Sequence, residues 1–329
     1  MKVLLCTGDS HTQGQGQDTF SDPLNGEWPV KSYDLVNGTG LGFKRLFDTN
    51  SYVNLIRHYL HEKTGSCEEQ VKVDFLNEIR DEIRFDCEDS DMFVFTIAEE
   101  SKETYVNIYT DGELYRRVCL FTTSPRWDDW SARDIRVDCR GKREIKLVVE
   151  SGRLRFVDAR KYRGTHAVIN CGIGSCDCKC FTDLTLSKLI EDMEPYMFIA
   201  EAHTINDWLH GKTVDEYKNH LCKMLSIMTE ACDHTVLVTV SPILGDQMRT
   251  GYDIFNTADY YENFVEGSRD AAWEMNIPVA DANAEFKKIL SGLTEDEMKK
   301  VMFCDDWHVN SKGHKIYAEK IVEKIDVLL

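Results

Sequence analysis

The sequence predicts an α/β protein whose parallel sheet is covered by helices on both faces and whose chain is interrupted by a long antiparallel β insert. Three observations lead there. Five short runs, residues 3–6, 167–170, 196–200, 235–240 and 277–280, are almost wholly apolar, as strands buried on both faces are. Amphipathic stretches of helical period lie between and after them, the alternation that builds a parallel sheet. From about Cys67 to Arg163 the helical period vanishes and a period of two replaces it.

In chain order, the first strand (KVLLC, 2–6) runs directly into Gly8-Asp9-Ser10-His11. A helix is expected over 51–62, where Val53, Ile56, Tyr59 and Leu60 recur at helical spacing. Further helices are expected over 183–193, 214–232, 259–274 and 311–325, the last with Ile316, Tyr317, Ile321 and Ile325 on one face. Thr182 and Asn310 stand at or next to expected N-caps. Within the interruption, Val71-Lys72-Val73-Asp74-Phe75, Phe93-Val94-Phe95 and the stretches 106–109, 135–137 and 145–149 alternate as strands do. Asp111-Gly112 and Ser151-Gly152 supply turn residues at the ends of such runs. The expected organisation is one domain built from 1–66 and 164–329, with an inserted jelly-roll-like β-sandwich over 67–163.

The chain has 329 residues and a formal net charge of −18, which argues against nucleic acid or an anionic membrane surface as the main partner. No secretory h-region and no run of transmembrane length is visible. Twelve cysteines without a leader point to a reducing cytoplasm with free thiols. A homo-oligomer is compatible with such a chain.

The chemistry concentrates at the two ends. Ser10 stands where a parallel sheet places ligands, at the carboxyl end of its first strand. Near the other end, Asp305-Asp306-Trp307-His308 offers a base and a carboxylate to orient it. Either acid could fill the orienting role by proximity. Cys171, Cys176, Cys178 and Cys180 cluster but lack the C-x₂-C spacing of a zinc knuckle, so they read as small apolar residues and no metal or organic cofactor is expected. His203, His210 and His314 read as supporting or surface residues, with His203 and His11 the two that could line a pocket. Trp127 and Trp130 flank two acids, an arrangement able to hold a sugar ring, although packing, one in the sandwich core and the other against the catalytic domain, is the preferred reading. Trp28, Tyr33 and Phe43, in the long segment after Ser10, could wall the site.

Four blocks taken together resemble the SGNH (GDSL-type) hydrolases. The first is Gly8-Asp9-Ser10-His11-Thr12 with Gly14 and Gly16, and the second is Asn170-Cys171-Gly172-Ile173-Gly174-Ser175. The third is Asn206-Asp207, and the last is Asp305-Asp306-Trp307-His308-Val309-Asn310 with Gly313-His314. A lone Gly-Asp-Ser is weak; four blocks in order at strand ends are specific, and they cover 1–50 and 165–329.

The resemblance implies a flavodoxin-like α/β/α sandwich, with Ser10 as nucleophile, His308 as base and Asp305, in preference to Asp306, as its partner. It implies oxyanion donors from the Ser10 N–H, the N–H of Ser175 or Gly174, and the Asn206 side chain. The family usually has glycine at the positions of Ser175 and Thr204, so a donor at Ser175 requires serine to adopt the local backbone conformation. Asp9, His11, Trp127, Trp130 and Trp307 are candidate substrate contacts. The activity so implied is a serine esterase removing a short acyl group, acetyl above all, from a carbohydrate or similar small polar or oligosaccharide ester. A lipase, thioesterase or acyltransferase using the same site, or a non-catalytic carbohydrate-binding protein on this scaffold, are the alternatives.

Overall fold

The computed structural model describes residues 1–14, 50–73, 78–99, 103–120, 132–245 and 258–328. Five strands form an all-parallel sheet: β1 (Lys2–Gly8), β10 (His166–Gly172), β11 (Met197–Glu201), β12 (His234–Val238) and β13 (Val279–Ala280). Their spatial order is β10-β1-β11-β12-β13, which is the 2-1-3-4-5 order of a doubly wound sheet with its switch point beside the first strand. All five expected strands are present, with ends shifted by one or two residues.

Alternation along each strand divides the core in two. Val3 and Leu5 of β1, Ala167 and Ile169 of β10, and Phe198 and Ala200 of β11 point to one face. Leu4 and Cys6, Val168, and Met197 and Ile199 point to the other. The first face is covered by α3 (Cys178–Phe181), the π-helical turn Thr182–Leu186, α4 (Ser187–Met193), α6 (Val214–Ala231) and α7 (Ala258–Glu274). The second is covered by α2 (Tyr52–Thr64), α8 (Ala282–Leu290) and α10 (Ser311–Ile325). Two shorter helices, α5 (Thr204–Leu209) and α9 (Glu295–Met302), lie at loops.

The helix expected from 183 begins earlier. Asp177 is the N-cap of α3, its side chain accepting the Cys180 N–H at 2.7 Å, so Thr182 is helical rather than capping. The short polar run between Cys176 and Thr182 conceals the start from a periodicity reading. Asn310 does cap α10, accepting from Lys312 and Gly313.

Between α2 and β10 in the chain lie eight antiparallel strands: β2 (Cys67–Gln70), β3 (Glu82–Asp86), β4 (Met92–Glu99), β5 (Thr104–Thr110), β6 (Glu113–Leu120), β7 (Ala132–Asp138), β8 (Glu144–Ser151) and β9 (Leu154–Arg163). They form two separate four-stranded sheets, β2-β9-β4-β7 and β3-β8-β5-β6. Phe85, Phe93, Phe95, Ile108, Ile135, Leu147 and Phe156 share one apolar core. Asp111 and Gly112, with φ of 50° and 82°, make the β5–β6 turn, the left-handed pair that a tight hairpin demands. Residues 71–73 carry no strand, although the Val71 N–H still donates to Ala159 at 2.9 Å.

These sheets are tied to the parallel-sheet region. Met92, Val94 and Tyr162 join the core on its first face. Arg57 of α2 pairs with Glu68 of β2 at 2.7 Å, both side chains being buried, and Arg160 approaches the same carboxylate at 3.7 Å. Arg133 and Arg116 both reach Asp192 of α4.

Candidate active site

The site lies at the carboxyl ends of β1, β10 and β11. β1 ends at Gly8, and a side chain there would drive its Cβ to 2.1 Å from Thr12 Oγ1 and 2.4 Å from Glu201 Oε2. Only glycine lets the chain turn so tightly. A single helical turn follows, α1 (Ser10–Gln13), with Asp9 as N-cap. Ser10 is its first residue, so its N–H has no acceptor inside the helix. Gly172 abuts the same turn: a Cβ on it would lie 2.3 Å from the Gln13 nitrogen.

The segment after α9 delivers the other groups. Phe303 and Val309 form an antiparallel bridge, and the Cys304 N–H donates to the His308 carbonyl at 2.8 Å. Inside this small loop Asp305 Oδ1 accepts the N–H groups of Trp307 (2.8 Å) and His308 (2.6 Å). Its Oδ2 faces His308 Nδ1 at 2.7 Å, and His308 Nε2 lies 2.8 Å from Ser10 Oγ. A carboxylate only accepts, so the ring proton belongs on Nδ1. Nε2 then keeps its lone pair and accepts the Ser10 O–H. Burial alone would raise the Asp305 carboxyl, but the bonds from His308 and the two amides prevail and bring it to about 2. Ser10 and His308 are each 7% exposed, enough to touch a small molecule.

Asp306 is turned away. It pairs with Lys299 at 2.6 Å and does not take the ring. Of the two acids, it is Asp305, held by the two amides, that faces the ring.

Besides the Ser10 N–H, the groups expected as oxyanion donors lie on two turns, 173–175 and 203–206. The Ile173 N–H bonds to the Gly8 carbonyl at 2.9 Å and carries the 173–175 turn alongside the nucleophile turn. Ser175 adopts the left-handed conformation, with φ of 59°, so serine does meet the backbone demand that glycine usually meets. On the other side, His203 takes the left-handed position with φ of 54°, and α5 begins at Thr204. The Thr204 hydroxyl lies 3.1 Å from Tyr217 Oη. Asn206, 5% exposed, donates from Nδ2 to Asp9 Oδ2 at 2.7 Å, leaving its second amide hydrogen for another acceptor.

Behind Ser10 is a buried polar network that sequence reasoning missed in part. Asp9 and His11, read from sequence as substrate contacts, are fully buried and turned toward each other. The cap geometry draws the Asp9 carboxylate inward, where it also accepts the His11 N–H. Glu201, at the end of a wholly buried strand, accepts the Asp9 N–H at 2.7 Å and the His203 N–H at 2.8 Å. One carboxylate thereby joins the nucleophile turn to the Asn206 turn. Burial, and then the charge of Asp9, raise Glu201 well above the usual carboxylate range. A charged residue closing an apolar run was the available signal. Asp207 accepts the Cys178 N–H at 2.8 Å, and burial lifts it to about 7.

The remaining candidates are placed as follows. Trp307 is half-buried, its ring 6.2 Å from that of His308. His203 Nδ1 meets the Cys176 carbonyl, His210 pairs with Asp177 at 2.8 Å, and buried His314 faces the Tyr52 N–H. Cys176 and Cys178 are buried thiols, pushed well up by burial. Among the described residues no three His, Cys, Asp or Glu side chains converge to hold a metal ion, and no helix is long and apolar enough to cross a membrane. Gly16, Trp28, Tyr33, Phe43, Trp127 and Trp130 lie outside the described residues.

No protein-family model and no curated protein matches the chain. Solved structures do. A peptidoglycan O-acetylesterase overlays at 11% identity with a TM-score of 0.52, covering 100% of this chain and 91% of that one. An α/β hydrolase, LAE5, from the metagenome of Lake Arreo gives 10% identity, coverage of 100% and 96%, and a TM-score of 0.48. A GDSL-family lipolytic protein of Veillonella parvula gives 18%, coverage of 49% and 81%, and 0.39. The first of these overlaps shows a shared fold.

Proposed function

We propose that the chain is a serine esterase of the SGNH type that removes short acyl groups, acetyl above all, from a carbohydrate or similar polar ester. The observation that carries this reading is the continuous contact from Ser10 Oγ to His308 Nε2 (2.8 Å) and from Nδ1 to Asp305 (2.7 Å). A serine hydroxyl is a poor nucleophile until such an imidazole takes its proton.

The reaction then runs through this chain's own groups. Ser10 Oγ attacks the ester carbonyl as its proton passes to His308 Nε2. The oxyanion is met by the Ser10 N–H, an N–H of Ser175 or Gly174, and the spare amide hydrogen of Asn206. His308 returns the proton to the departing alcohol oxygen, leaving an acyl-Ser10 ester. It next takes a proton from water, whose oxygen attacks the acyl carbon and releases the carboxylic acid and free Ser10. The ionised Asp305 stabilises the imidazolium in both halves.

The acetyl and carbohydrate parts are supported by the polar character of the site and by the fold shared with a peptidoglycan O-acetylesterase. We read 1–66 and 164–329 as one discontinuous catalytic domain and 67–163 as an inserted eight-stranded jelly roll. The facing orders β2-β9-β4-β7 and β3-β8-β5-β6, with a shared apolar core, support that reading.

The test is a chain-length series of nitrophenyl esters followed by a panel of acetylated sugars and oligosaccharides. Acetate should be hydrolysed faster than octanoate, and Ser10→Ala should abolish turnover while keeping the wild-type melting temperature. A preference for octanoate would reject the short-acyl reading, and full activity in Ser10→Ala would reject the nucleophile.

A further inference from the structure

His11 cannot serve its two neighbours as a neutral ring. Its Nδ1 lies 3.1 Å from Asp9 Oδ1, and its Nε2 lies 2.9 Å from the carbonyl oxygen of Trp307. Both neighbours are acceptors only, whereas a neutral imidazole carries one N–H. The residue is fully buried, so no solvent can meet the unprotonated nitrogen in their place. From these contacts, and resting on the esterase reading above, we infer that His11 is a buried imidazolium that ties the oxyanion amide to the loop carrying the base.

The tie can be followed atom by atom. Asn206 Nδ2 donates to Asp9 Oδ2 (2.7 Å), Asp9 Oδ1 accepts from His11 Nδ1, and His11 Nε2 donates to the carbonyl of Trp307, the residue before His308. Asn206 belongs to the turn after β11, His11 to the turn after β1, and Trp307 to the bridge-closed loop between Phe303 and Val309. Three separate chain segments that must agree within tenths of an ångström are thus held by one ion pair.

The surroundings balance the charge. Asp9 and Asp305 are the anions that face His11, while His308 and Tyr317 pack against its ring at 5.2 and 6.1 Å. Glu201 accepts the Asp9 N–H and His203 faces Asp9 from the end of β11, while Asp9 and His11 form a buried ion pair. Burial would lower the His11 ring, but its bond to Asp9 and the charge of Asp9 outweigh this and raise it. His11 is a positioning residue: it reaches neither the nucleophile oxygen nor the ester.

Two measurements on the full chain test this. In protein labelled with ¹⁵N-histidine, the two ring nitrogens of His11, identified by their loss in His11→Gln, should both carry the shift of a protonated nitrogen at pH 7. Asp9→Asn should remove this signature by taking away the partner charge. His11→Asn serves for assignment if His11→Gln does not fold. One unprotonated ring nitrogen at pH 7 in the wild type would overturn the inference, whatever the protein hydrolyses.

The second measurement is kinetic. His11→Gln should lose at least tenfold in kcat on nitrophenyl acetate with KM within twofold. The wild type should lose activity at alkaline pH, as the His11 proton leaves to solvent, in a limb that the variant lacks. An unchanged kcat, or an unchanged alkaline limb, would overturn the positioning role. A wild type that neither turns over esters nor reacts with a fluorophosphonate would overturn the esterase reading instead, and the ring signals would still decide the imidazolium.

Discussion

Replacing Asp305 by Asn separates orientation of the base from the folding of its loop. The carboxylate makes three bonds: Oδ1 accepts two amides, at 2.8 and 2.6 Å, and Oδ2 accepts the His308 ring at 2.7 Å. Asparagine can keep its carbonyl on the two amides and turn its NH₂ toward Nδ1. That nitrogen must then accept, so the ring proton moves to Nε2, facing Ser10 Oγ, and the base can no longer take the serine proton. A wrong tautomer in a triad of this kind lowers kcat roughly 10⁴-fold, about 5.4 kcal/mol of barrier. The assay is kcat and KM on nitrophenyl acetate beside the melting temperature, with Asp306→Asn as companion. The Asp306 carboxylate pairs with partly exposed Lys299, an interaction worth roughly 0–1 kcal/mol, so its loss should leave kcat within a fewfold. Asp305→Asn within tenfold of wild type, or Asp306→Asn equally damaged, would refute the assignment.

Asn206→Ala should lower kcat by about 10²–10³-fold with a smaller change in KM, measured on the same ester, because it removes one oxyanion donor. Glu68→Ala should lower unfolding free energy by about 3 kcal/mol in a denaturant titration, since it removes a buried carboxylate from the buried Arg57 guanidinium and from Arg160, which keeps Asp134 and Asp158. Asp305 falls from an ordinary 3.8 to about 2 in the fold. A depressed acid stabilises the fold fully above 3.8 and loses that contribution as pH falls toward 2. The gap in melting temperature between wild type and Asp305→Asn should therefore close over that interval.

The first three motif blocks were legible because each sits where an apolar strand stops, and strand ends in a parallel sheet are where chemistry is done; the last instead follows the helix Glu295–Met302, in a loop closed by the Phe303–Val309 bridge. Ser10, His308 and Asp305, grouped by the family resemblance, lie in one chain of contacts, and Asn206 bonds to Asp9 beside Ser10. What stayed hidden is tertiary. Nothing in a Gly-Asp-Ser-His string says that Asp9 and His11 turn inward, because that depends on a cap bond and on a carbonyl nearly three hundred residues away. Glu201 looked like a strand end rather than a clamp between two turns. In the antiparallel sheets, β3 and β6 escape a pattern reading because charged residues fill their exposed positions, as in the Glu82–Asp86 strand, where only Ile83 and Phe85 are buried, and β2 and β9 because they carry charge even where they are buried, at Glu68, Asp158 and Arg160. The helices Ala282–Leu290 and Glu295–Met302 were missed for brevity: each is two to three turns.

The most direct test of Ser10 as an activated nucleophile is peptide mapping by mass spectrometry after treatment of the full chain with a fluorophosphonate. A single phosphonyl adduct on Ser10 is expected, absent from Ser10→Ala and formed far more slowly in His308→Ala. An unlabelled Ser10, or an adduct on another residue with ester hydrolysis persisting in Ser10→Ala, would contradict it.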